Sequence, residues 1–164
     1  MRFNLSSSVL SSKLQTLSKV IASKNSLAIL DSFLFEIKNN QLTITASDSE
    51  NTMHSTINLD SAEGETSFAV NNRTIIDAVK ELPEQPLSLD VNMDEQKIYI
   101  TYQNGSYNFP IQPADEFPKV QPIAAGATTI TIDADILAEN INRSLFATAQ
   151  DELRPVMNGL YFDL

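Results

Sequence analysis

The sequence has no cysteine, a single histidine and only four glycines in 164 residues. Without cysteine there is no disulfide, no thiolate catalysis and no cysteine-ligated zinc or iron–sulfur cluster. One histidine, His54, does not build an ordinary catalytic zinc site. No G-x-S-x-G elbow accompanies it, so it reads as an ordinary strand residue. Neither G-x-x-x-x-G-K-[ST] nor G-x-G-x-x-G occurs, which removes the common nucleotide-phosphate cradles. No stretch of about eighteen apolar residues is present, so no membrane-spanning helix is expected. The opening MRFNLSSSVL has no signal-peptide core, so a cytoplasmic location is expected. Charge of one sign is missing too. The first thirty residues carry Arg2, Lys13, Lys19 and Lys24 but no acid, and the first carboxylate is Asp31. The whole chain is at −10, so the remainder carries −14 against +4 at the front.

That asymmetry has two readings. An acidic protein that keeps one helix free of carboxylates turns that helix toward something negative, with phosphate the usual candidate. Alternatively, the stretch is a solvated helix face that lacks acids by chance. A pI near 4.4 opposes generic whole-surface binding of nucleic acid, because the far field repels phosphate. Any such contact must be local and enclosed.

What is present is strongly patterned. RFNLS, residues 2–6, alternates as a short strand. Ser6, Ser7 and Ser8 are cap candidates for a helix over about 7–22, with Leu10, Leu14, Leu17 and Ile21 as its apolar stripe. Ser12, Gln15, Thr16 and Lys19 lie opposite. Phe33, Phe35 and Ile37 share one face of a strand, Asn39-Asn40 makes a tight turn, and Leu42, Ile44 and Ala46 continue the sheet. Met53, Ser55, Ile57 and Leu59 form another strand, and residues 67–70 a further one. Asn71 or Asn72 caps a second helix over about 72–82. Ile75, Ile76, Val79 and Leu82 face inward there, and Pro83 ends it. Strands over 87–93, 97–103 and 106–112 follow, with Asn104-Gly105 as the turn between the last two.

PADEFPKVQPIAAGAT, residues 113–128, has three prolines and no periodicity, and reads as a linker. The opening pattern then returns: a strand over 128–132, a cap at Asp133 or Asp135, and a helix to about Ala149. Ile136, Leu137, Ile141 and Leu145 are expected inward, with an apolar strand over 160–164. An offset of 127 lays Phe3 on Ile130, Leu10 on Leu137 and Leu30 on Met157. A repeat of that length points to tandem domains rather than a solenoid. The organisation expected is 1–118, a linker over 119–127, and 128–164 as the start of a second copy.

Catalytic chemistry is sparse. Asp48 and Glu50 lie two apart, and neighbouring carboxylates can hold magnesium. The calcium-loop pattern is missing, so the pair reads as a solvated turn.

Taken in order, the segments resemble the bacterial sliding clamp family, the beta subunit of DNA polymerase III. MRFNLSSSVLSSKLQTLSKVI is similar to its first strand and helix. LAILDSFLFEI resembles its L-P-I-L segment, with Ala28 in place of the usual proline. TITASDSENTM resembles the strand and acidic turn that follow, and NNRTIIDAVKELP the second helix. PADEFPKV resembles the A-D-[ED]-[FY]-P crossing between domains, and DELRPVMNGLYFDL the E-T-R-P-V-L-N-G segment of the second domain.

The resemblance implies an α+β fold: a clamp domain of two helices packed on two small antiparallel sheets, followed by a truncated second copy. Three such domains make a protomer, and two protomers close a ring with a helical inner wall. On this reading the chain is a fragment that does not encircle DNA alone. The D-G-H-R-L-A motif and the third domain are missing.

The implied function is a non-catalytic processivity clamp for a replicative polymerase, gripping DNA without reading sequence. Lys24, Arg73 and Lys80, with Gln150 and Arg154 of the second domain, are the DNA-binding residues it implies. Some members have aromatic residues where Pro155 and Val156 stand. Tyr107 and Phe109 fall on the strand that pairs with the other protomer. Met157 falls on a wall of the pocket for polymerase and clamp-loader peptides, most of which lies beyond Leu164, so that pocket is expected to be non-functional. Duplex DNA, the clamp loader, polymerase subunits and a second protomer are the implied partners, with no cofactor and no membrane. The competing reading is a generic α+β interaction module whose basic helix binds an acidic protein.

Overall fold

Period-two alternation of apolar side chains builds the strands of the chain. The computed structural model describes residues 1–22, 25, 27–48, 50–119, 126–151 and 153–163. It divides into two units, Met1–Val120 and Gln121–Leu164. The first unit runs β1 (Arg2–Ser6), α1 (Ser7–Leu17), a 3-10 turn (Ala28–Asp31), β2 (Ser32–Lys38), β3 (Gln41–Ser47), β4 (Thr52–Asn58), β5 (Ser61–Ala62) and β6 (Thr66–Asn71). It continues through α2 (Asn72–Val79), β7 (Pro86–Asn92), β8 (Lys97–Tyr102), β9 (Gly105–Pro113) and a second 3-10 turn (Ala114–Glu116).

The strands order as β4-β3-β2-β6-β9-β8-β7-β1-β5, and each pairing is antiparallel. Two sheets share β9. Its first part, residues 105–110, pairs with β8, and its last part, residues 111–113, pairs with β6. Phe3, Leu5, Leu10, Leu14, Leu17, Phe33, Phe35, Phe68, Ile75 and Val79 belong to one buried cluster that joins both sheets to both helices. Helix α1 touches β3 and β4 while α2 touches β6 and β9, and the helices touch each other. They therefore stand side by side over the β4-β3-β2-β6-β9 sheet.

Local chemistry explains where elements stop. Helix α1 ends at Leu17 rather than near residue 22. The Thr16 hydroxyl donates to the Ser12 carbonyl and the Ser18 hydroxyl to Gln15. The following amides reach back only three residues, from Lys19 to Thr16 and from Val20 to Leu17. Hydroxyls competing for carbonyls tighten the last turn. At the other end Ser6 occupies the cap position without a side-chain capping bond. The hydroxyl of Ser7 is engaged elsewhere: it donates to the Pro83 carbonyl at 2.8 Å and accepts from the Gln85 amide at 3.0 Å. Asn71 caps α2 as its sequence suggests, accepting from the Thr74 amide.

The turn at Asn39-Asn40 has φ of 50° and 59°, the left-handed pair that a two-residue hairpin favours. The expected Asn104-Gly105 turn is shifted by one residue. Tyr102 pairs with Gly105, so Gln103 and Asn104 are the loop. Gly105 serves close approach rather than a positive φ: a Cβ there would lie 2.9 Å from the Tyr102 hydroxyl. On the edge strand β4 Met53 is exposed, whereas Ile57 is buried.

The second unit holds α3 (Ala134–Leu145) and a 3-10 turn (Pro155–Asn158). Asp133 caps α3 through the amides of Asp135 and Ile136. From Ser7 to Ala134, and from Ala28 to Pro155, the offset is the same 127 residues, so helix and 3-10 turn recur in register. The expected strands do not form among the described residues 128–132 and 160–163; Leu164 lies outside them. The expected inward face of α3 is uncovered as well. Ile136 and Leu145 are each 54% exposed, and Leu137 and Ile141 are half-buried. An apolar helix stripe is buried only against a partner layer, and a strand exists only by pairing. Ile29 and Leu30 have that layer and are buried, whereas Val156 and Met157, at the corresponding positions, are exposed.

Candidate nucleic-acid interface

The exposed side of α1 and the end of α2 enclose a groove of about 440 Å³, lined by Ser8, Ser11, Ser12, Gln15, Thr16, Lys19, Lys80 and Leu82. No carboxylate lines it. The apolar stripe of α1 faces the sheet, so the helix turns hydroxyls and an amide outward. A hollow of about 250 Å³ adjoins the C-terminal end of α1 and the start of α2, lined by Ser18, Ile21, Ala22, Asp31, Asn71, Asn72 and Arg73. Asp31, the first acid in the chain, enters this hollow beside Arg73. Its carboxylate accepts from the Asn25 amide at 2.7 Å, and its carbonyl from Asn72 at 2.6 Å.

The fold thus gathers Lys19, Lys80 and Arg73 along the paired helices. Lys13 lines neither depression. Lys24 lies outside the described residues. Lys80 is not a lone cation: its ammonium sits 2.7 Å from the Asp77 carboxylate. The hydrogen bond to Asp77, then the charge of Asp77, hold its proton more tightly than usual.

In the second unit Gln150 is exposed. The Arg154 guanidinium donates to the Asp151 carboxylate at 2.8 Å. The loop between them is closed by Asp151 donating its amide to Asn158 and by Ala149 donating to the Met157 carbonyl. The Arg154 hydrogen bond, followed by that of the Leu153 amide, lowers the Asp151 pKa below the ordinary carboxylate value. A depressed carboxylate contributes above its unfolded pKa, and the contribution is lost as pH falls through the lower folded value. Arg154→Gln should move the Asp151 midpoint upward, toward the ordinary range, in a carboxyl NMR titration. An unchanged midpoint would mean that the Leu153 amide, not the guanidinium, sets it.

The residues placed at a subunit contact behave differently from each other. Phe109 is 9% exposed and belongs to the core. Tyr107 is 36% exposed and stacks between Tyr102 at 5.2 Å and Phe109 at 6.1 Å. What β9 offers outward is backbone: residues 105–110 pair with β8 on one side, and no described strand pairs with them on the other. Met157 is about half exposed. The apolar pocket of its unit is lined by Leu137, Ile141, Leu160 and Phe162, among others, and not by Met157.

Of the remaining polar candidates, Asp48 is engaged in a turn and His54 is an exposed strand residue. Asp48 accepts from the Glu50 and Asn51 amides at 3.0 and 2.7 Å. Its Asn51 hydrogen bonds lower its pKa. That is the turn its spacing suggested. His54 pairs with Thr45 across β4 and β3, exposed on the edge strand.

A model of the N-terminal domain of the DNA polymerase III beta subunit matches residues 1–121. The chain belongs to the DNA polymerase III beta subunit family. The matched segment coincides with the first structural unit to within a residue. The beta sliding clamp of Pseudomonas putida is 27% identical over 164 residues, 100% of this chain and 44% of the relative. Among solved structures, the beta subunit of Pseudomonas aeruginosa superposes with a TM-score of 0.88 at 27% identity, over 97% of this chain and 43% of that one. The Thermotoga maritima beta subunit gives 0.78 at 31% identity, over 93% and 41%. The chain therefore spans less than half the length of the beta subunits it matches. Its sliding-clamp fold of helices on antiparallel sheets is that of the family.

Three residues with evident roles escaped the sequence reading. Asp77 and Asp151 each precede a basic residue by three positions, a spacing that signals an intrahelical or intraloop ion pair. Gln85 carries no local signal at all.

Proposed function

We propose that this chain supplies part of a ring around duplex DNA that tethers a replicative polymerase and performs no chemistry of its own. The observation that carries the reading is the carboxylate-free groove between α1 and α2 on a protein of charge −10. Serine hydroxyls, an amide and lysine ammonium groups suit phosphate oxygens and distinguish no base. Lys24, Arg73 and Lys80 on the first unit, and Gln150 and Arg154 on the second, are the DNA-contacting residues of this reading. The boundaries 1–118, 119–127 and 128–164 are its domain organisation. The open edge of β9 is the place where a strand of another protomer adds to the sheet, with Tyr107 beside it and Phe109 bracing it from the core. The clamp loader and polymerase are further partners, in the cytoplasm. Among the described residues no helix is long and apolar enough to cross a membrane.

The test is a chimera. Put in place of the matching segment of the Pseudomonas aeruginosa beta subunit, this chain should give a ring that a clamp loader retains on nicked circular DNA and that slides off the linearised form. Arg73→Ala in the chimera should lower the magnitude of the slope of log K against log salt by about 0.9. Equal retention on circular and linear DNA, or capture only by an acidic protein, would refute the clamp.

A further inference from the structure

Of the proposed DNA-contacting residues, Lys80 in the first unit and Arg154 in the second are ion-paired in the same way. Lys80 meets Asp77, and Arg154 meets Asp151, each across three residues with the acid first. Asp77 is 67% exposed, whereas Asp151 is 22% exposed beneath an exposed Arg154. Lys19 and Arg73 form no ion pair among the described residues. The candidate DNA-contacting cations of the two units therefore fall into two kinds. One kind is open to phosphate. The other already has a carboxylate partner that phosphate must displace or share.

We propose that Asp77 and Asp151 are affinity-limiting residues, each holding its neighbouring cation so that the protein grips duplex phosphate weakly. This rests on the reading of the α1–α2 face, and of the loop at 150–154, as DNA-facing. The physics is competition. A carboxylate within hydrogen-bond distance satisfies one donor of the ammonium and repels an approaching phosphate. Binding then releases fewer counterions than the count of basic residues implies. The lysine keeps donors for phosphate and the guanidinium keeps its Nη groups, so contact is weakened rather than abolished. A surface that must move along DNA gains from such a limit, because each tight phosphate contact is a barrier to the next step.

The experiment is a residue-resolved NMR titration of this chain with a short duplex at low ionic strength, which detects dissociation constants into the millimolar range. Asp77→Asn should tighten binding roughly two- to fivefold and steepen the salt slope by up to about 0.9. The same change in a Lys80→Ala background should do much less, because the double-mutant cycle isolates the pair. Asp94→Asn, an exposed acid of the β7–β8 turn, controls for net charge. Asp151→Asn with Arg154→Gln repeats the cycle in the second unit. Tightening no larger than that of Asp94→Asn, or tightening that persists without Lys80, would overturn the proposal and leave the DNA face standing. If Lys19→Ala, Arg73→Ala and Lys80→Ala all leave the shifts unmoved, the DNA face itself is wrong and the proposal falls with it.

Discussion

Phe68→Ala should lower the stability of the first unit by about 3–5 kcal/mol. Phe68 is fully buried in the middle of β6, its ring centroid 5.3 Å from that of Phe35 on the neighbouring strand. It pairs with Phe35 of β2 on one side and, on the other, with Pro113 at the point where β6 meets β9. The residue therefore sits where the two sheets meet through their shared strand. Truncation removes the ring, loses the aromatic pair and leaves a cavity that β2, β6 and β9 are too constrained to close. Urea denaturation followed by circular dichroism checks it. The midpoint should fall with the slope unchanged. A loss below about 1 kcal/mol would mean that the sheets repack around the site.

Gln85→Ala should cost about 1–2 kcal/mol, because the part-buried bond from the Gln103 amide loses its acceptor. Gln85 is 6% exposed. Its side-chain carbonyl accepts from the Gln103 amide at 2.9 Å, and its own backbone amide donates to the Ser7 hydroxyl at 3.0 Å. Ser7 in turn donates its amide to the Gln85 carbonyl at 2.9 Å. This one residue ties the start of α1 to the loop of the β8–β9 hairpin. Without its side chain the Gln103 amide loses its partner and the hairpin loses its anchor. Amide exchange of Gln103 should accelerate sharply, and the Gly105–Phe109 stretch should follow. Protection at Gln103 equal to wild type would show that water replaces the glutamine oxygen at little cost.

Much of the first unit was legible because its signals are local. Alternation in Phe33–Ile37 and Leu42–Ala46, the Asn39-Asn40 pair and the Asn71 cap each dictate their structure through neighbours a few residues away. The candidate site was partly legible for the same reason. The acid-free stretch with the leucine stripe of α1 already separates an inward from an outward face. Other features were not legible. The hairpin turn slipped from Asn104-Gly105 to Gln103-Asn104 because Gln85, eighteen residues away in sequence, holds the Gln103 amide and Tyr102 closes over Gly105. Phe109 lies on the strand that the resemblance assigns to a subunit contact, and its own side chain belongs to the core; strand alternation alone does not say which face is covered.

The second unit makes the same distinction. Its sequence alone determines the capped, amphipathic helix α3, repeated 127 residues after its counterpart. Caps and helical hydrogen bonds are intrasegmental, so the pattern carries them whether or not anything lies opposite. Tertiary structure decides the rest. Ile29 and Leu30 are buried while Val156 and Met157 stand exposed, and β1 and β2 form where residues 128–132 and 160–163 do not. Strands need partners for their backbone and apolar faces need a layer to bury against. Neither condition is written in the segment that needs it. The pairing of Lys80 with Asp77 was written in the spacing. Its place beside the groove that Lys80 shares with Lys19 came only from packing α2 against α1.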